Sequence, residues 1–149
     1  MPRKILLVCT GNTCRSAMAE AIMKSIVESS PNSADWVVES AGVGAVDGDP
    51  ASDNAITALA ELGLDLSAHR ARMITPEMIS QAYVVLAMER RHLERVLELD
   101  PSAAAHVRML SEPGIGDPFG GSIEAYRSAR DEIRRAIAAI MESLDRGGD

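Results

Sequence analysis

The segment from Cys9 to Ser16 brings a thiol, a guanidinium and several turn-forming residues together. Five residues separate Cys9 from Arg15. A loop of that length can curl so that successive backbone N–H groups face inward and form a concave anion site. Arg15 would close this site and hold two oxygens of a phosphate group with its planar guanidinium. The spacing therefore predicts a phosphate-binding loop with a thiol at its base.

Cys9 is the candidate nucleophile of this loop. A thiol near a helix N-terminus and a guanidinium is favoured as the thiolate, which is the form that attacks phosphorus. Ser16, at the start of the following helix, could donate a hydrogen bond to the sulfur and ease its departure. Gly11 and Asn12 suit backbone angles that other residues rarely adopt. We therefore expect a two-step reaction in which Cys9 accepts a phosphoryl group and water then removes it.

Two other interpretations of Cys9 are a buried core cysteine and a metal ligand. The first would suit a lone cysteine, but here the residue ends an apolar run and is followed by Gly-Asn, Arg and Ser at fixed positions. The second would usually require four ligands. The other soft candidates, His69, His92 and His106, are scattered along the chain. We expect neither a metal nor a cofactor.

Asp117 is the candidate acid that protonates the leaving group. It precedes Pro118, which restricts Asp117 to an extended backbone that can hold its carboxylate over a pocket. The same dipeptide at Asp100-Pro101 is an ordinary turn signal. The local sequence therefore leaves both a catalytic and a structural role open for Asp117.

Alternating strands and helices must position these residues. Strands are predicted at 5–8, 36–38, 83–87 and 107–109, and helices at 15–29, 51–62, from 75, at 89–97 and over 126–144. This alternation predicts one α/β domain, residues 1–149, with a parallel sheet covered by helices on both faces. Met18, Ile22 and Ile26, spaced four apart, predict the buried face of the first helix. In such folds ligands bind beyond the carboxyl ends of the strands, where the loop of Cys9 begins.

Composition excludes several classes of partner. The net charge of −7 is the opposite of a nucleic-acid-binding footprint and would be repelled by an anionic membrane. The apolar run at 5–8 is too short for a secretory signal. The two cysteines lie in one loop, too close together for a disulfide between them to staple a fold. We expect a cytoplasmic protein with thiol chemistry.

The segment from Val8 to Ser16, followed by Met18-Ala19-Glu20, resembles the signature of the low-molecular-weight protein tyrosine phosphatase family. The resemblance continues through 40–42, 65–72 and Asp117-Pro118, and so covers essentially the whole chain. It implies a three-layer, doubly wound fold with a four-stranded parallel sheet in the order 2-1-3-4.

The family resemblance also implies the roles of individual residues. It makes Cys9 the nucleophile, Arg15 the phosphate ligand and Asp117 the general acid. It further implies that two sets of residues shape the loop: Thr10, Gly11, Asn12, Thr13, Cys14 and Ser16 as the loop itself, and Ser40 and His69 as its supports through hydrogen bonds with Asn12 and Ser16.

The substrate is predicted from two positions at which the family varies. Tyrosine phosphatases of the family usually carry a bulky aliphatic residue at the position of Thr13. Thr13 and the run from Asp117 to Ser122, with Phe119 as its aromatic residue, more closely resemble the protein arginine phosphatase branch. A threonine hydroxyl tolerates a polar guanidinium beside the phosphate, and Phe119 offers a flat face for stacking. We therefore predict a protein phosphoarginine phosphatase that releases inorganic phosphate.

Two alternatives to a phosphoarginine phosphatase remain. The first is a protein phosphotyrosine phosphatase in which Thr13 and Phe119 are neutral variation. The second is a non-catalytic phosphopeptide-binding module, which the presence of Cys9, Arg15, Ser16 and Asp117 disfavours.

Cys14 also has two interpretations. It is either a small buried side chain or a thiol that forms a disulfide with oxidised Cys9 and so protects it from irreversible oxidation. The family resemblance favours the second.

Overall fold

The computed structural model describes residues 1–145 of the 149-residue chain. Its strands are β1 (Arg3–Cys9), β2 (Trp36–Gly42), β3 (Val84–Ala87) and β4 (Val107–Met109). Its α-helices are α1 (Arg15–Glu28), α2 (Asp53–Ala60), α3 (Pro76–Gln81), α4 (Arg90–Leu99) and α5 (Ile123–Asp145). Each predicted element is present, with bounds that differ by a few residues. Short 3₁₀ helices at Ser33–Asp35 and Pro101–His106 were not predicted.

The four strands form one parallel sheet in the order β2-β1-β3-β4. This confirms the predicted α/β fold and strand order. Cys9, the last residue of β1, lies opposite Gly42, the last residue of β2. The carboxyl ends of these strands therefore meet where β1 runs into the loop that starts at Cys9.

The two faces of β1 are buried by different helices. Ile5 and Leu7 pack in a core cluster with residues of α1, α2 and α5. Leu6 and Val8 pack in a second cluster with residues of α3 and α4. All four side chains are inaccessible to solvent, which explains the continuous apolar run in the sequence. The loop that begins at Cys9 thus follows a strand segment that is buried on both faces.

The buried face of α1 was predicted only in part. Met18 and Ile22 are buried as expected, but Ile26 is 36% exposed, and Met23 and Val27 are buried instead. Because a helix has 3.6 residues per turn, a strict four-residue spacing drifts around the axis. The buried stripe therefore moves off the predicted positions in the last turns of α1.

Local signals account for several helix ends. Thr75 caps α3 by accepting a hydrogen bond from the backbone N–H of Met78 at 3.2 Å, and Pro76 occupies the first helical position.

Within residues 1–145, no helix combines the length and the apolar character needed to cross a bilayer.

Candidate active site

Cys9 lies at the start of the loop that joins β1 to α1, opposite Gly42 at the end of β2. The side chain is 3% exposed, and its Sγ lies 2.9 Å from the Oγ of Ser16. The backbone that directly follows β2 contacts this loop. The N–H of Val43 donates to the carbonyl of Cys9 and the N–H of Gly44 donates to the carbonyl of Thr10, both at 2.9 Å. The sulfur is therefore held in place by a rigid backbone at the carboxyl end of the sheet.

Asn12 organises the loop from its centre. It has a left-handed backbone, with φ 58°, which asparagine tolerates better than most residues. Its Nδ2 donates to Ser16 Oγ at 2.8 Å and to Ser40 Oγ at 2.9 Å, while its Oδ1 accepts from the backbone N–H of Arg72 at 2.9 Å. His69 Nε2 lies 2.7 Å from the carbonyl oxygen of Asn12. The structure therefore brings Asn12, Ser16, Ser40 and His69 together.

This network leaves the Ser16 hydroxyl with two possible acceptors. Its oxygen accepts a hydrogen bond from Asn12, and its proton can go to the sulfur of Cys9 at 2.9 Å or to the carbonyl oxygen of Ala41 at 3.5 Å. The Ser40 hydroxyl likewise accepts from Asn12 and donates to the carboxylate of Glu20. The arrangement can stabilise negative charge on the sulfur.

The prediction for Gly11 was wrong in one respect. Gly11 is not among the residues with positive φ, whereas Asn12 is. The close approach falls at Gly42 instead, where an added Cβ would lie 2.4 Å from the carbonyl oxygen of Thr10. The sharp reversal of the loop thus uses Asn12, and the loop packs against a glycine of β2 that the loop sequence does not reveal.

Arg15 is 2% exposed, although it carries a permanent charge. Its Nη1 donates to the carbonyl oxygen of Ile115 at 2.8 Å and to the carboxylate of Glu89. Its Nη2 lies 3.5 Å from Oδ2 of Asp117. Buried charges need such partners. With Nη1 anchored from behind, the opposite edge of the guanidinium can serve a phosphate group.

Glu89 is a charged residue of this site that the sequence did not reveal. Burial raises the pKa of its carboxyl, but hydrogen bonds and charge from Arg91 and Arg15 outweigh burial and lower the pKa to about 2. A usable signal existed, since Glu89 follows β3 by two residues and the carboxyl ends of parallel strands share one end of the sheet. The carbonyl of Ile115 gave no signal, because any residue supplies one.

Asp117 lies above the loop, with 42% of its side chain exposed. Its Oδ1 accepts a hydrogen bond from the backbone N–H of Phe119 at 3.0 Å, which fixes the carboxylate in the Asp-Pro-Phe turn. Phe119 itself is 73% exposed. The structure thus places the predicted acid beside Arg15 and leaves the aromatic ring free to meet a substrate.

Thr13 and Cys14 occupy the far side of the loop. Thr13 is partly exposed, and its carbonyl accepts from the backbone N–H of Ser52 at 3.0 Å. Cys14 is a buried free thiol, with Sγ 3.4 Å from both Ser52 Oγ and Tyr126 Oη. Burial, together with the hydrogen bond to Cys14, raises the pKa of the Tyr126 hydroxyl. The two loop cysteines therefore lie in different surroundings, since the sulfur of Cys9 contacts the Ser16 hydroxyl and that of Cys14 contacts the hydroxyls of Thr13, Ser52 and Tyr126.

Comparison with known proteins agrees with this geometry. Residues 4–148 match the family described as low molecular weight phosphotyrosine protein phosphatase. A protein-arginine-phosphatase of Geobacillus stearothermophilus is 41% identical over 97% of both chains. The solved structure of the YwlE arginine phosphatase from the same organism superimposes with a TM-score of 0.89 at 39% identity, over 98% of this chain and 95% of that one. The tyrosine phosphatase Wzb of Escherichia coli K12 is 33% identical over 97% of both chains.

Proposed function

This chain belongs to the low molecular weight phosphotyrosine protein phosphatase family, and we propose that it removes phosphoryl groups from phosphoarginine in proteins, with Cys9 as nucleophile. It is a cysteine-dependent phosphatase and therefore a hydrolase. The observation that carries the proposal is the 2.9 Å contact between Cys9 Sγ and Ser16 Oγ inside a loop closed by the buried Arg15. The preference for arginine is supported by the 41% identity to the protein-arginine-phosphatase of Geobacillus stearothermophilus and by Thr13 and Phe119.

The first step transfers the phosphoryl group to sulfur. The Cys9 thiolate attacks phosphorus while Arg15 and the loop amides hold the phosphate oxygens. The P–N bond breaks and its electron pair stays on the guanidine nitrogen, which takes a proton from Asp117. The 3.5 Å separation of Asp117 from Arg15, the proposed phosphate ligand, supports this role.

The second step returns the enzyme to its starting state. A water molecule attacks phosphorus and gives its proton to Asp117, which lost one in the first step. The P–S bond breaks, the electron pair returns to Cys9, and inorganic phosphate leaves. The Ser16 hydroxyl, 2.9 Å from the sulfur, donates to the departing thiolate, because a thiolate has no proton and can only accept a hydrogen bond.

Selectivity is assigned to Thr13 and Phe119. Thr13 is a residue of the loop between Cys9 and Arg15, and its side chain is partly exposed, which supports a role beside the bound phosphate. The hydroxyl of Thr13 can form a hydrogen bond with the polar guanidinium of the substrate, whereas a branched aliphatic side chain at this position would remove water from the guanidinium without replacing that hydrogen bond. Phe119, at 73% exposure, provides the flat face on which a guanidinium stacks.

The experiment compares one peptide in its phosphoarginine and phosphotyrosine forms. We expect kcat/KM to be much higher for phosphoarginine. Thr13→Ile should shift the ratio of the two kcat/KM values toward phosphotyrosine. Thr57→Ile, an exposed substitution on α2, is the matched control and should leave the ratio unchanged.

The alternative, a phosphotyrosine phosphatase, is favoured by the likeness to the tyrosine phosphatase Wzb. It predicts rapid turnover of the phosphotyrosine peptide and little of the phosphoarginine peptide. That result, or a ratio that does not change in Thr13→Ile, would reject the arginine assignment while leaving the phosphatase class intact.

We further infer a cytoplasmic location and a redox role for Cys14. The location is supported by the sequence, in which both cysteines lie in one short loop whose proposed chemistry requires a reduced thiol. Mild oxidation followed by peptide mapping should give a disulfide between Cys9 and Cys14 that a thiol reductant reverses. Irreversible oxidation of Cys9 with Cys14 unmodified would contradict the redox role.

A further inference from the structure

His92 lies in the first turn of α4 and is 1% exposed. Its Nδ1 accepts a hydrogen bond from the backbone N–H of Glu89 at 3.1 Å, as half of the reciprocal cap that begins the helix. Its Nε2 lies 2.8 Å from Oγ1 of Thr10. A helix cap alone requires only the first contact. The second reaches the residue that directly follows the nucleophile.

The contacts of His92 fix which ring nitrogen carries the proton. Because Nδ1 accepts from Glu89, the neutral ring carries its proton on Nε2 and donates it to Thr10. Burial, followed by the charges of Arg15 and Arg91, lowers the pKa of His92 to about 4. The ring is therefore neutral near pH 7, and Thr10 Oγ1 acts as the acceptor.

The other half of the same cap holds the opposite end of the loop. Glu89, whose carboxylate accepts from the backbone N–H of His92, also binds Arg15. Thr10 and Arg15 lie at the two ends of the loop whose backbone N–H groups would bind the phosphate. One helix terminus therefore contacts both ends of the phosphate loop, through two side chains that also fix each other.

We propose that His92 is a positioning residue: it holds Thr10, and with it the start of the phosphate loop, in the geometry that binds phosphate above Cys9. This rests on the proposed function for its meaning in catalysis. The physical basis is that preorganised donors contribute to binding and to catalysis only when a second layer of contacts holds them in place. Thr10 is held on two sides, by His92 at its side chain and by Gly44 N–H at its carbonyl.

Two substitutions separate the cap from the loop contact. His92→Asn keeps an acceptor near the position of Nδ1 but is too short to reach Thr10. His92→Gln places an amide donor near the position of Nε2. His106→Asn is the control, because the His106 ring contacts only the carbonyl of Ile79 at 3.1 Å among the described residues, at the opposite end of the strands.

The measurements are kcat and KM on a small aryl phosphate, competitive inhibition by inorganic phosphate, and Tm. We expect His92→Asn to weaken phosphate inhibition and lower kcat/KM, each by roughly three- to tenfold, the size of one hydrogen bond. His92→Gln should recover most of that loss. Thr10→Val should reproduce the loss, and His92→Asn combined with Thr10→Val should be no worse than either alone.

A purely structural role gives a different pattern. In that case His92→Asn lowers Tm but leaves kcat/KM and phosphate inhibition unchanged, or its effect adds fully to that of Thr10→Val. Either result overturns the proposal. Should His92→Asn fail to fold, Thr10→Val against Thr10→Ser decides, since serine keeps the acceptor oxygen. If the wild-type protein hydrolyses nothing, the proposed function fails, and phosphate binding measured by calorimetry still tests His92.

Discussion

The neutral, buried His92 makes stability depend on pH in a defined window. Its pKa falls from 6.5 to about 4 on folding, because burial and the nearby Arg15 and Arg91 disfavour the imidazolium more than Glu89 and Asp117 favour it. As pH falls below 6.5, the unfolded chain takes up a proton at this residue and the folded chain does not. The contribution of the neutral His92 to the free energy of unfolding is therefore intact above pH 6.5 and is lost as pH falls toward about 4.

The size of this effect follows from the shift. Each pH unit within the window costs about 1.4 kcal/mol, so the free energy of unfolding should drop by about 3 kcal/mol in total. Protonation would also set an N–H of the ring against the N–H of Glu89 and break the cap of α4. A loss of this size is a large fraction of the stability of a typical domain.

Urea unfolding at a series of pH values measures this directly. The free energy of unfolding of the wild-type protein should fall between pH 6.5 and about 4, and the slope should be shallower in His92→Asn by up to one proton. The comparison isolates His92 over most of this window, because Glu89, whose pKa falls from 4.5 to about 2 on folding, begins to affect the free energy of unfolding only below pH 4.5. Equal slopes in the wild-type protein and His92→Asn would refute the reasoning.

Three further substitutions test the loop. Gly42→Ala would place a Cβ 2.4 Å from the carbonyl oxygen of Thr10, so the backbone must move. We expect a lower Tm and a large loss of kcat. Wild-type values of both would contradict the close packing. Asp117→Asn should lower kcat by roughly 100-fold or more, while inorganic phosphate binds as well or better, because a negative charge 3.5 Å from Arg15 is gone; undiminished turnover would identify another acid. Asn12→Ala removes three side-chain hydrogen bonds at a left-handed residue and should cost about 2–4 kcal/mol in urea unfolding, and a cost under about 1 kcal/mol would contradict its central place.

The sequence could predict those parts of the site whose residues lie close together along the chain. The segment from Cys9 to Ser16 contains Asn12 and Arg15 as well, so the spacing alone indicated a phosphate site. The strands were equally clear, because burial on both faces leaves a continuous apolar run such as that of β1. Asp117 was identified only with the help of the family resemblance, since an Asp-Pro pair is also a common turn.

The contacts that the sequence did not reveal join residues far apart. Glu89 and His92 reach the loop across 74 and 82 positions. A glutamate and a histidine at the start of a helix are ordinary surface and capping residues by pattern alone. Gly42 likewise reads as a glycine at a strand end. Only the parallel register, which sets Gly42 opposite Cys9, shows why a side chain there would collide with the loop.

The most direct test of the mechanism is to identify the atom that carries phosphorus during turnover. The protein is mixed with phosphoarginine peptide, quenched within the first turnover and mapped by mass spectrometry. We expect a phosphoryl group on Cys9 that forms and decays at rates matching kcat, and no turnover in Cys9→Ala. Phosphate released without a labelled Cys9, a label on another residue, or activity retained in Cys9→Ala would contradict the account.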